Sequence, residues 1–298
     1  MNKRIITIII VLAAVCGGAS AQPKEGGRCP APIYARDFSK MEVVDTTRLR
    51  VRYAFCAEKI NDHLTYIDLQ RLDVGKRVTK YYSQFVYQSD SLRSKYAKEH
   101  PGAQSAPSWM GVQCRENDQW SEYEWSDYFI ENGQLTEYCQ MPLYLHRYNS
   151  KYTEAVPKQE WKLTNETQTI IDYKCQKATC RFRGRDFIAW FAPSIPVKRG
   201  PWKFGGLPGL ILKVQDKDGL YTFEAIGIET RPHPITRFKQ YKEYTSYSRE
   251  KVWKMQRSYH ENWFKATDFH KATINPDGTT TIGEAMSIYT PYNPLELE

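Results

Sequence analysis

The chain has 298 residues, with 42 Lys plus Arg against 34 Asp plus Glu and a formal net charge of +8. That length accommodates one large domain or two small ones with ample core. The charge excess is modest and spread along the chain, which reads as ordinary solubility charge rather than as a patch for lipopolysaccharide or anionic lipid. Neither a zinc-finger nor an RNP pattern is present, so nucleic acid is not an expected partner.

The chain opens like a secretory leader. Lys3 and Arg4 precede an apolar run from Ile5 to Val15, and Ala19-Ser20-Ala21 then offers a small-x-small cleavage pattern before Gln22. Residues 1–21 are therefore expected to be a cleaved signal peptide. The run is shorter than the roughly 20 apolar residues that span a bilayer. Lipidation at Cys16 is disfavoured because Val15 stands where a small residue belongs. The expected destination is the periplasm, or the outer-membrane or extracellular face. Six cysteines remain, Cys29, Cys56, Cys114, Cys139, Cys175 and Cys180. An even number in an exported chain predicts up to three disulfides. Cys175 and Cys180 would lie about 17 Å apart on a regular strand rising about 3.3 Å per residue. A disulfide needs Cα atoms within roughly 7 Å, so their expected partners lie elsewhere. Cys175 and Cys180 alone do not make the paired spacing of a zinc site.

In chain order, Arg48 to Glu58 alternates Leu49, Val51, Tyr53 and Phe55 against Arg48, Arg50 and Arg52, the period of a strand. Leu64 to Leu72 and the aromatic-rich Arg77 to Gln88 read as further strands around a turn at Gly75. Ser89 to His100 reads as a short helix capped by Ser89 or Asp90 and stopped by Pro101, followed by a loop to Asp118. Trp120, Tyr123, Trp125 and Tyr128 sit among acids, either as a core-packed face or as a contact for a sugar or peptide. Strand pieces follow at Leu143 to Tyr148, Glu160 to Leu163, Thr169 to Tyr173, Lys174 to Arg185 and Asp186 to Ala192. The clearest hairpin joins Gly209 to Val214 with Tyr221 to Glu229 across Asp216-Lys217-Asp218-Gly219. Ser248 to Lys265 carries Val252, Met255, Tyr259 and Trp263 at helical spacing, with Ser248 as cap. Asn275-Pro276-Asp277-Gly278 is a turn, and the stretch from Pro291 to Pro294 is extended. No repeat or composition break divides the chain, so residues 22–298 are expected to form one domain. Its predicted class is mainly β (α+β): a curved antiparallel sheet or open, barrel-like sheet with a few helices, one of them near the C-terminus.

Between the last of these strands, Gly200-Pro201-Trp202-Lys203-Phe204-Gly205-Gly206-Leu207-Pro208-Gly209-Leu210-Ile211-Leu212 contains the word GLPGLI. The segment resembles the signature of the GLPGLI, or Porph_ging, family of exported Bacteroidetes proteins. Tyr173 to Ala178, Phe182 to Arg185, Ala189-Trp190-Phe191 and the terminal Asn293-Pro294-Leu295-Glu296-Leu297 fit the same likeness. The resemblance implies export, a mostly β fold and an envelope location, and it brings no agreed catalytic residues.

The signature also has a physical reading. Gly205 and Gly206 permit a left-handed turn, and Pro208 restricts Leu207 to extended geometry. Trp202, Phe204, Leu207 and Leu210 supply apolar bulk, which either plugs the end of a β core or rims a cavity. On the second reading Trp190, Trp202, Phe204, Leu207, Pro208 and Leu210 are the candidate ligand-binding residues. Catalytic motifs are lacking: there is no H-E-x-x-H, no G-x-S-x-G and no phosphate loop. His260 is expected on the polar flank of its helix and His233 in a turn. Asp216 and Asp218 lack calcium-loop spacing, and no cofactor or metal is expected. The expected function is non-catalytic binding of an apolar ligand or envelope component. Alternatives are an accessory protein of an outer-membrane system and an unrecognised envelope enzyme.

Overall fold

The computed structural model describes residues 29–32, 36–103, 106–107 and 119–298. The expected leader (residues 1–21), the polar stretch 22–28, Cys16 and Cys114 lie outside the described residues, as does most of the loop after Pro101.

The chain is mainly β. In order it forms β1 (Met41–Thr46), β2 (Leu49–Phe55), β3 (Asp68–Val74), β4 (Val78–Ser83), α1 (Gln84–Glu99), β5 (Ser126–Glu131), β6 (Gln134–Cys139) and β7 (Ser150–Ala155). Then follow β8 (Lys162–Ile170), β9 (Tyr173–Phe182), β10 (Arg185–Ala192), β11 (Leu210–Asp216), β12 (Thr222–Glu229), β13 (Pro234–Phe238) and β14 (Thr245–Ser246). The last elements are α2 (Arg249–Ala266), β15 (His270–Ile274) and β16 (Thr280–Ala285). Twelve strands make one sheet in the order β14-β7-β6-β5-β4-β3-β2-β12-β11-β10-β9-β8. All its ladders are antiparallel except β14 on β7. The pairs β1–β13 and β15–β16 form two small sheets.

Contacts between strands far apart in this order show that the sheet curls. Arg183, in the turn between β9 and β10, pairs with Glu154 of β7 at 2.7 Å. Lys203, in the connection from β10 to β11, pairs with Glu137 of β6 at 3.1 Å. No ladder joins β8 to β7 or β14 among the described residues, so the sheet is curved but not closed. Register shifts put extra residues in β8, β11 and β12, which marks bulges, and a bulge bends a strand and increases its twist. The concave face buries Val51, Tyr53, Phe55, Phe187, Phe191, Phe223 and their neighbours as one apolar cluster. A second, ionic knot ties α1 to the sheet: buried Arg36 pairs with Asp90 at 2.6 Å and with Asp127 at 2.9 Å, and Lys80 joins Asp127 at 2.9 Å.

Several expectations change. The helix expected from Ser89 starts five residues earlier, at Gln84, because Ser83 Oγ accepts the Val86 amide and caps it. Phe85, Val86, Ser89 and Asp90 are then buried at helical spacing, and the strand expected through Gln88 stops at Ser83. Leu143 to Tyr148 is turn and a short 3-10 helix rather than strand. The helix at Ser248 and the hairpin at Gly219 form as expected. Among the described residues no two cysteines are joined to one another, and Cys114, a candidate partner for the others, lies outside them. Cys139, Cys175 and Cys180 are buried as small apolar side chains. Burial pushes the Cys175 thiol up to about 11 and the Cys180 thiol up to about 12. Among the described residues no helix is long and apolar enough to cross a membrane.

The connection before β11 is packed to its limit at Gly209. A Cβ there would stand 2.3 Å from the Ala192 carbonyl oxygen, so backbone would have to move. Gly209→Ala is expected to destabilise the fold by about 1–3 kcal/mol, the usual cost of forcing atoms into a filled core. Urea denaturation should show the loss as a lower midpoint with an unchanged slope.

Candidate functional site

The six residues singled out in sequence do not meet around a cavity. Phe204, Leu207 and Leu210 are buried in the main core. The Phe204 ring lies 4.8 Å from Phe187, 5.2 Å from Trp202 and 5.9 Å from Phe182, which makes it a plug. Pro208 is exposed, and Trp190 is half-buried on β10 under the Lys177 ammonium. Only Trp202 turns toward a polar cleft, and the centre of that cleft is its neighbour Lys203.

Local geometry puts Lys203 there. Trp202 adopts φ 52, a left-handed conformation that non-glycine residues rarely take. Gly206, at φ 85, completes the reversal. The connection between β7 and β8 clamps the loop from outside. Gln159 Nε2 donates to the Lys203 carbonyl at 3.2 Å, Gln159 Oε1 accepts the Gly205 amide at 3.1 Å, and Trp161 Nε1 donates to the Gly205 carbonyl at 2.8 Å.

The Lys203 side chain is 3% exposed, so its charge must be met by protein. It donates to Tyr152 Oη at 2.7 Å and pairs with Glu137 and with Glu296. The Tyr128, Tyr152 and Trp202 rings surround it at 5.0–5.6 Å. Glu137 accepts from Tyr152 at 2.5 Å and from Ser126 at 3.0 Å. Glu296 reaches on to Arg249 of α2 at 2.7 Å. Burial works against both charges, but the partners outweigh it. Glu137 is held below the ordinary glutamate value by Lys203 and its hydroxyl donors, and Lys203 is held above the ordinary lysine value by Glu137 and Glu296.

A second relay adjoins. His260 of α2 is 2% exposed, not on a polar flank as expected, and its Nε2 lies 2.6 Å from Glu122. Its ring is stacked on Tyr292 at 4.0 Å and lies 4.8 Å from Trp120. Tyr292 donates to the other Glu122 oxygen and meets Tyr123 Oη at 3.1 Å. Thus the aromatic-acidic stretch from Trp120 to Tyr128 is core-packed, yet it sends Glu122, Tyr123 and Tyr128 to the cleft wall. Glu137, Tyr152, Arg249, Trp253 and Gln256 were not singled out in sequence. One signal was available: Asn132-Gly133, at φ 51 and 75, is the turn that builds the β5–β6 hairpin and so places Glu137.

The remaining free volume is about 30 Å³, room for a water molecule or two rather than a sugar ring. Two buried donors of the lining, Trp202 Nε1 and Gln256 Nε2, have no hydrogen-bond acceptor among the described residues.

Comparison with known proteins bears on this cleft. Residues 116–251 match the family model described as the N-terminal domain of an N-glycanase peptide, PNGase F-II, a span short of half the chain. No curated protein matches. Among solved structures, PNGF-II in its P21 crystal form aligns with 16% identity over 74% of this chain and 34% of its own, at a TM-score of 0.43. The C2 form gives 15% identity, the same coverages and a TM-score of 0.44. This chain therefore spans about a third of the length of those structures, and a likeness at that level carries no argument about function. The family match overturns the resemblance to the GLPGLI family and, with it, the expected role as a binder of an apolar ligand. The physical reason is visible in the segment itself: Phe204, Leu207 and Leu210 fill core, so their pattern reports packing.

The charge pairing predicts a pH response. A carboxyl whose pKa is depressed on folding adds stability above its unfolded value, here near 4.5, and that stability is lost as pH falls through the folded value. Lys203 has the opposite sign: its contribution is present below the unfolded value of 10.5 and lost as pH rises through the higher folded one. Glu137→Gln is expected to lower stability near neutrality by about 3 kcal/mol, as for breaking a buried pair. It should also flatten the acid limb of Tm against pH below 4.5, measured by calorimetry.

Proposed function

We propose that the chain is a glycan-recognition module that binds the N-linked glycan of a glycoprotein at the cleft around Lys203, whose free volume admits a sugar only once residues 292–297 move aside. The observation that carries this reading is a coincidence of two independent maps. The segment matched by the N-glycanase N-terminal domain, residues 116–251, supplies every residue of the cleft wall except Trp253, Gln256, Pro294 and Glu296. The chemistry of the wall agrees with it. Indole and phenol rings offer flat apolar faces to a pyranose, while amide, ammonium and guanidinium donors suit its hydroxyl oxygens.

Recognition is favoured over acid–base catalysis by the state of the charges. Glu137 is held ionised and Lys203 protonated, whereas a proton-transferring pair works best with pKa values near the operating pH. The leader-like pattern of residues 1–21 supports export, and we place the module in the periplasm or on the outer-membrane or extracellular face.

Calorimetric titration with a high-mannose N-glycopeptide and with the same peptide lacking its glycan tests the reading. Saturable heat is expected from the glycopeptide alone, weakened at least threefold by Gln256→Leu. Equal heats from the two peptides would overturn the proposal, and release of the glycan, seen by mass spectrometry, would make the protein an enzyme.

A further inference from the structure

Residues 292–297 run along the cleft, which Pro294 and Glu296 line, held mostly by side chains and in no sheet ladder. Arg185 donates to the Pro294 carbonyl at 3.0 and 2.8 Å, and Tyr221 Oη donates to the Asn293 carbonyl at 2.6 Å. The Leu295 amide donates to Tyr123 Oη at 2.8 Å, and Trp253 Nε1 donates to the Glu296 carbonyl at 3.0 Å. The Leu297 amide donates to the Arg183 carbonyl at 2.9 Å, a backbone bond. Leu295 is buried in the main core, whereas Leu297 is 40% exposed. One end of this strap is therefore anchored and the other is at the surface.

A count of charges shows what the strap does for the cleft. Lys203 and Arg249 face Glu137 and Glu296. Glu122 is engaged by His260 and Tyr292 instead. Without the Glu296 carboxylate, two cations would face one anion, and the unpartnered donors Trp202 Nε1 and Gln256 Nε2 would stand beside them. Such a site calls for one anion with several oxygen acceptors.

We propose that the strap is a resident mimic of the ligand, and that the ligand which displaces it carries a carboxylate: an acidic sugar whose carboxylate takes the place of Glu296 between Lys203 and Arg249. This rests on the glycan reading above and narrows it to acidic glycans. It also accounts for the small free volume, because the strap fills the space a sugar would use. A tethered competitor acts at high effective concentration, so the strap lowers apparent affinity, and weakening the strap raises it.

The test uses the full chain, a sialylated biantennary N-glycopeptide and the same glycopeptide after desialylation. Glu296→Gln keeps the shape of the strap and removes its charge, while Leu295→Ala loosens it without touching any charge. Both are expected to raise affinity for the sialylated form about tenfold, equivalent to roughly 1.4 kcal/mol. Arg249→Ala added to Glu296→Gln should abolish the gain. In the unsubstituted protein, saturating sialylated glycopeptide should speed hydrogen exchange at the Leu295 and Leu297 amides. Equal gains for both glycopeptides, or unchanged exchange across residues 292–297, would overturn the strap proposal while leaving glycan binding intact. Absence of binding by either glycopeptide to any of these proteins would overturn both.

Discussion

An ammonium group buried to 3% exposure is the constraint around which this molecule is arranged. Taking such a charge out of water costs several kcal/mol unless partners and hydrogen bonds surround it. Lys203 obtains them from three separate parts of the chain: Glu137 on β6, Tyr152 on β7 and Glu296 on the strap, which Arg249 of α2 engages from the other side. None of these is its neighbour in sequence or in strand order. The sheet must therefore curl until the β6–β7 side meets the loop before β11, and bulges in β8, β11 and β12 are the local means of bending it.

That arrangement separates two roles within one short segment. Phe204, Leu207 and Leu210 fill core, and Gly209 allows backbone to pass within van der Waals range of Ala192. Lys203 faces the other way, into the polar cleft, and Trp202 lies between the two, packed on Phe204 and lining the cleft. The apolar residues make the segment conspicuous and turn out to be packing. The charged residue in their midst is the one that organises a site, and the N-glycanase family match covers most of the wall built around it.

Elements with strong local signals were legible. The β11–β12 hairpin has a turn sequence and alternation on both sides, and α2 has a serine cap and a helical stripe. Where local signals conflicted, tertiary contacts decided. Tyr81, Tyr82, Phe85 and Tyr87 read as one aromatic strand, but Ser83 caps a helix whose Asp90 is drawn to Arg36. His260 sits at a polar helical position and is nonetheless buried, because Glu122 and the Tyr292 ring arrive from distant segments to receive it. Cys139, Cys175 and Cys180 are set apart from one another in apolar core, a placement that an even cysteine count does not record.

By itself, the sequence determined the β-rich class, the position of α2, the hairpins with turn residues between alternating strands, and the local bend at residues 205–209. Each of these depends on backbone preferences and side-chain periodicity within about ten residues, which a linear string records. Only the tertiary structure decided which charges meet. Lys203, Glu137, Glu122, His260 and Glu296 are separated by 15 residues or more, and each is ordinary where it stands in the chain. Their roles arise from desolvation and pairing once the curled sheet, α2 and the strap converge, and those energies depend on distance in space, not along the sequence.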